Sequence, residues 1–197
     1  MSAMSSVKYS QFELAQLLAV ARVAIASHFG GNAAVLPNIA DYDERLRATV
    51  GCFVTLEVSG QLQGCIGTIH SQQPLVQEVH KKALSAAFHD RRFSPLTAAQ
   101  LPALTLEVSV LSRPVRLTTG TELDCLNHLD RHRPGVILSH AQHRGVFLPQ
   151  VWDKLRGPKE FITALKRKAG IDPTLPTTAM RVELFTVDKH KEPYWQS

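Results

Sequence analysis

The sequence predicts an α+β fold, a largely antiparallel sheet with packed helices, and three features point there. Two alternating stretches, 51–69 and 135–148, are each broken by a short turn, as in β-hairpins and unlike repeated strand–helix–strand units. Leu104 to Leu111 is the cleanest alternating strand in the chain, with Leu104, Leu106, Val108 and Val110 on one side and Thr105, Glu107 and Ser109 on the other. The segments between these strands carry apolar residues at three- and four-residue spacing, as amphipathic helices do. The 197 residues, 44% hydrophobic and 20% charged, suit a single domain over 1–197 with room for a small second lobe.

Each element has a local reason. From Ser10 to Phe29, Leu14, Leu17, Leu18, Ala21, Ala24 and Ile25 form a helical stripe; Ser10 and Glu13 make a capping box, and Gly30-Gly31 stop the helix. Residues 32–48 read as a long connection that could contribute to a second lobe, as could the middle of the chain. Cys52, Val54, Leu56 and Val58 then alternate with Phe53, Thr55 and Glu57; Ser59-Gly60 turns the chain, and Leu62 to Ile69 returns. Pro74 suits the first turn of a helix running to about His89, and Thr97 to Leu101 reads as one helical turn. A short helix, Thr121 to His128, precedes the second hairpin. Pro149 to Trp152 reads as a packing corner, Pro158 opens a helix ending at Gly170, and Met180 to Val187 is the last strand.

Three cysteines, Cys52, Cys65 and Cys125, have no framework spacing and point to a reducing compartment, hence the cytoplasm. No apolar run approaches the roughly 18–20 residues that cross a bilayer, and Met1 to Ser6 show no basic start before an apolar core. The net charge of +5 sits in short clusters, the longest Lys166-Arg167-Lys168. No recognised nucleic-acid motif accompanies them, so they read as solvated helix faces.

The unusual segment is Leu62-Gln63-Gly64-Cys65-Ile66-Gly67-Thr68. Glycine inside a strand marks a bend or a close approach by backbone or ligand. Alternation puts Leu62, Ile66 and Thr68 on one face and Gln63, Cys65, Gly67 and Ile69 on the other, so Cys65 sits between two small or polar neighbours, a floor for a pocket. Cys65 is a candidate nucleophile if a cation, a His or a helix N-terminus favours its thiolate. Glu107, a carboxylate on an otherwise apolar strand, is a candidate acid or base, or else one half of an ion pair. Cys125-x2-His128-x3-His132 has metal-ligand residue types, but Arg131, Arg133 and Pro134 predict that the helix ends before His132, and no metal is assigned. No phosphate loop fits, because no helix opens behind Gly64-x-x-Gly67. The sequence names no cofactor.

Read in order, Gly64-Cys65-Ile66-Gly67, Ala86-Ala87-Phe88 with Asp90, Arg92-Phe93, Pro95-Leu96, Leu106 to Leu111, Phe147 to Trp152 and Lys168-Ala169-Gly170 resemble the AMMECR-type domain family, also called AmmeMemoRadiSam system protein A. The resemblance runs nearly the whole chain. It implies a two-lobed arrangement with a groove lined by the signature residues, and an association with a Memo-type protein and a radical S-adenosylmethionine enzyme. On it, Gly64, Ile66, Gly67, Asp90, Arg92, Phe93 and Lys168 become candidate ligand-binding residues around Cys65 and Glu107. Two positions depart from the family's pattern: Gln63 stands where Arg is usual, and Arg91 stands where Pro is usual. Three readings follow: an enzyme or enzyme-like subunit, a non-catalytic module that holds a substrate or partner, and an RNA-binding protein.

Overall fold

In the computed structural model, residues 8–31 and 34–195 are described, so the readings of Met1 to Ser6 and of the first residues of the connection lie outside it. The elements are α1 (Gln11–Phe29), α2 (Glu44–Arg47), β1 (Cys52–Val58), β2 (Gln61–Thr68), α3 (Leu75–Phe88), β3 (Leu104–Leu111), β4 (Val115–Leu117), α4 (Glu122–His132), β5 (Gly135–His140), β6 (His143–Phe147), α5 (Pro158–Ala169), β7 (Arg181–Phe185) and β8 (Val187–Pro193). The strands form two four-stranded sheets of antiparallel pairs, ordered β2-β1-β3-β8 and β4-β7-β5-β6. The described chain divides accordingly into two units: a larger one of residues 8–111 with 188–195, and a smaller one of residues 112–187. The second unit thus comes from the later half of the chain, and residues 34–48 belong to the larger one.

In the larger unit the alternation is realised along β1 and from Leu104 to Val108 of β3, whereas Ser109, expected on the polar side, is buried. Cys52, Val54 and Leu56 lie opposite Val110, Val108 and Leu106, all buried, and they share one core with α1 and α3. Glu13 closes the capping box, its Oε2 accepting from the Ser10 backbone at 2.7 Å. Burial pushes the Glu13 carboxyl up, but its bonds from Ser10 and the nearby Arg45 outweigh this and hold it below the ordinary value. By length and composition α1 is apolar enough to cross a bilayer, contrary to the sequence reading. Its Leu14, Leu17, Leu18, Ala21, Ala24 and Ile25 are core residues here.

His80 on α3 is buried, and its Nδ1 has no hydrogen-bond partner. Burial, helped by Lys81, lowers its pKa from the ordinary 6.5. The unfolded chain therefore binds more protons below pH 6.5, and stability is lost as the pH falls through that value. His128 in the smaller unit shifts in the same direction, again chiefly by burial. Urea titrations at pH 7 and pH 5 are expected to show a smaller acid loss for His80→Leu than for the parent; equal losses would mean that His80 is not a buried neutral ring.

The smaller unit departs from expectation at three places. Helix α4 continues to His132, where Arg133 turns left-handed (φ 43°) and donates to Leu129 O, so Pro134 falls beyond the cap. His128 and His132 therefore share a face, with ring centroids 4.5 Å apart. The strand expected from Met180 to Val187 breaks at Thr186: β7 stays in the smaller unit's sheet and β8 joins the larger one's. The break is pinned by two 2.9 Å bonds, Ser112 N–H to Thr186 O and Thr186 N–H to Ser112 Oγ. Lys166 is no solvated charge, since it is buried and donates to Leu175 O at 2.6 Å. Trp152 is the packing corner foreseen, buried and stacked on Phe161 at 3.8 Å, with its Nε1 donating to Pro134 O.

Candidate functional site

Strand β2 is an edge strand, and an edge presents unpaired N–H and C=O groups that a fold must cover. At Cys65 the cover is the turn after α3. Asp90 Oδ2 accepts the Cys65 N–H at 3.0 Å, and Arg92 Nη2 donates to the Cys65 carbonyl at 3.0 Å. The same two side chains hold each other, Arg92 Nη2 to Asp90 Oδ2 at 2.7 Å and Nε to Oδ1 at 3.0 Å, while the Arg92 N–H also reaches Oδ1. An ion pair thus stands in for the missing neighbouring strand. Gln63 extends the attachment by donating to Ser94 O at 2.7 Å, and Phe93 lies under Arg92 with the guanidinium 5.3 Å from its ring centre. The hydrogen bonds from Arg92 are the chief reason the Asp90 carboxyl is held far below the usual carboxylate range; the N–H bonds from Cys65 and Arg92 add to this and burial opposes it.

Because both backbone groups of Cys65 point outward, Cys65 and Thr55 on β1 form a non-hydrogen-bonded pair, the type that brings side chains closest. Thr55 Oγ1 lies 3.3 Å from Cys65 Sγ. Thr55 is in turn directly opposite Glu107 on β3, and Glu107 is ion-paired with Lys189 on β8 at 3.4 Å. Thiol, hydroxyl, carboxylate and ammonium therefore run across all four strands on the face that turns away from the core. Cys65, Thr55 and Glu107 are each only partly buried. Glu107 does not touch the sulfur, since two strand spacings, about 9–10 Å, separate its backbone from that of Cys65.

The glycines of the signature are accounted for by packing. A Cβ on Gly64 would lie 2.1 Å from Ala86 O of α3, and one on Gly67 would lie 2.3 Å from the Phe53 ring. The space over each is filled by the protein itself, and Ile66 packs against the core. Lys168 belongs to the smaller unit, where its Nζ donates to Val146 O on the edge strand β6 at 2.9 Å and sits 5.1 Å from the Phe147 ring centre. Arg91 is exposed. Two open concavities, of about 540 Å³ beside Arg156–Glu160 and about 310 Å³ between Arg22 and Trp195, include no residue of the Cys65 row.

The three thiols differ. Burial pushes Cys52 up to about 12, with Glu78 adding to it, and Cys125 up to about 11, with Glu122 adding to it. Cys65 is the half-exposed one. No group of three or more His, Cys, Asp or Glu side chains able to hold a metal ion forms among the described residues.

The signature strand, the turn that covers it and the strand carrying Glu107 are thus one construction, and the family model AMMECR1 matches residues 18–190, across all of it. The chain belongs to the AMMECR1 family. It is 32% identical over 162 residues to Protein MJ0810 of Methanocaldococcus jannaschii, covering 79% of this chain and 77% of that one. It is 36% identical over 163 residues to a Methanothermobacter thermautotrophicus protein, covering 80% and 82%. The crystal structure of the uncharacterized protein PH0010 from Pyrococcus horikoshii shares the fold with a TM-score of 0.76 at 30% identity, covering 91% of each chain. In this AMMECR1-family chain Gln63 spends its amide on Ser94 and its carbonyl on Gln100, so it serves the same edge attachment without charge. Thr55 is the site residue that sequence reading passed over. Alternation placed it on the polar face, but only the register β2-β1-β3 sets it between Cys65 and Glu107.

Proposed function

We propose that this chain is a thiol-dependent enzyme or enzyme-like subunit, with Cys65 as nucleophile or covalent carrier and Glu107 as the acid or base. The observation that carries this reading is the Cys65–Thr55–Glu107 row on the sheet face that turns away from the core. The spacing of the row suits a substrate group lying over Thr55, with the sulfur at one end and the carboxylate at the other. Its partners would be a Memo-type protein and a radical S-adenosylmethionine enzyme, and three unbridged thiols fit a reducing compartment such as the cytoplasm.

A non-catalytic module that holds a substrate or partner is the second reading. What favours it is that Asp90, Arg92, Gly64 and Gly67 are all engaged in holding β2 in place, leaving fewer groups for a ligand. The RNA-binding reading loses ground, because Lys166 of the longest basic cluster is buried.

Alkylation by iodoacetamide, followed for each cysteine by mass spectrometry across pH, separates the first two. Cys65 is expected to react at pH 7–8 while Cys52 and Cys125 stay unmodified in the folded protein. A Cys65 no faster than the buried pair would remove the nucleophile and leave the module.

A further inference from the structure

We propose that Thr55 is the positioning residue for Cys65: its hydroxyl donates to the sulfur and fixes the direction in which it points. The proposal rests on the reading of Cys65 as a reactive thiol. Thr55 lies on β1, which is paired on both sides, so its backbone is held from two directions. A β-branched side chain on a strand is stiff at χ1, so the hydroxyl is held where it is aimed. It is aimed at Cys65 Sγ, 3.3 Å away across the close type of strand pair.

A thiol can donate or accept, whereas a thiolate accepts only. When the sulfur is ionised the contact must therefore run from Thr55 O–H to S, and a hydrogen bond made to the charged form stabilises that form. The charged groups near the sulfur are held in ion pairs. Arg92, which bonds the Cys65 carbonyl, is paired with Asp90; Glu107 on β3 is paired with Lys189; and Glu57 on β1 is paired with Lys191 at 2.5 Å. With these charges paired, the hydroxyl is the polar side-chain group in direct contact with the sulfur.

The test is the pH profile of Cys65 alkylation in the full chain for Thr55→Val and Thr55→Ser. Thr55→Val keeps the shape and removes the hydroxyl. It is expected to slow the alkylation of Cys65 about tenfold near pH 7, with no loss of stability in urea. Thr55→Ser keeps the donor and is expected to fall within about threefold of the parent. Thr55→Ala serves as the hydroxyl-free variant should Thr55→Val fold poorly. Parent-like profiles for the folded hydroxyl-free variant, with a parent Cys65 that reacts early, would overturn the role of Thr55 alone. A parent Cys65 as inert as Cys52 would overturn the thiol reading and this one with it.

Discussion

Gly64→Ala is expected to destabilise the larger unit by about 3 kcal/mol, at the upper end of what inserting one carbon into a packed interior usually costs. The new Cβ would meet Ala86 O at 2.1 Å and Ala86 C at 3.0 Å, and both are backbone atoms. No rotamer change relieves that contact, so α3 as a whole must move. It is held against moving by Leu75, Val76, Val79, Ala83, Ala86 and Ala87, all in the core. The lower entropy of the unfolded alanine chain returns only about 0.4–1 kcal/mol. Gly120→Ala is the comparison: the nearest atom to its Cβ would be Asp124 Oδ2 at 4.0 Å, so stability is expected to stay within about 0.5 kcal/mol of the parent or to rise slightly. Urea midpoints decide the matter. A neutral Gly64→Ala would mean that α3 does not lie on β2 at this point and that the glycine is kept open for something else.

The same residue shows how far the sequence could be read. That Gly64 sits in a strand, and that a glycine there needs a reason, followed from its neighbours in the chain. That the reason is a helix backbone rather than a ligand did not, because the contact joins residues 64 and 86 and depends on how closely α3 docks. Strand β3 was legible in its bounds, and the alternation written in its side chains is realised from Leu104 to Val108, beyond which Ser109, Val110 and Leu111 are all buried. The division of 180–193 between two sheets was not, because the break at Thr186 is made by Ser112, 74 positions away. Helix α4 ran past its predicted end because an arginine accepted a left-handed backbone at 133, a local cost that its hydrogen bond to Leu129 offsets. At the site, Cys65 and Glu107 were visible as unusual residues in their strands. Their relation through Thr55 was not, since alternation assigns a face but never a register.

Asp90→Ala is expected to destabilise the larger unit by about 2–3 kcal/mol and to do so in a pH-dependent way. The Asp90 carboxylate is nearly buried and takes four N–H bonds, from Cys65 N, Arg92 N, Arg92 Nε and Arg92 Nη2. Its loss leaves the Cys65 N–H without a partner at the sheet edge, and an unpaired buried donor costs about 1–3 kcal/mol. The Arg92 side chain is 58% exposed and can turn to water, so the ion pair itself adds little. The sign of the pH effect follows from the carboxyl being held well below its ordinary value of 3.8, chiefly by the Arg92 side chain. Such a group contributes its full stability above the unfolded-state value and loses it as pH falls below it. The gap between parent and Asp90→Ala should therefore be constant above about pH 5 and narrow from about pH 4 downward. Asp90→Asn, which keeps an acceptor for the Cys65 N–H but no charge, should fall between the two and show no such narrowing against Asp90→Ala. A gap that is absent, or equal at pH 3 and pH 7, would mean that the edge at Cys65 is held by something other than this carboxylate. The Cys65–Thr55 contact would then owe its geometry to the pairing of β1 and β2 alone.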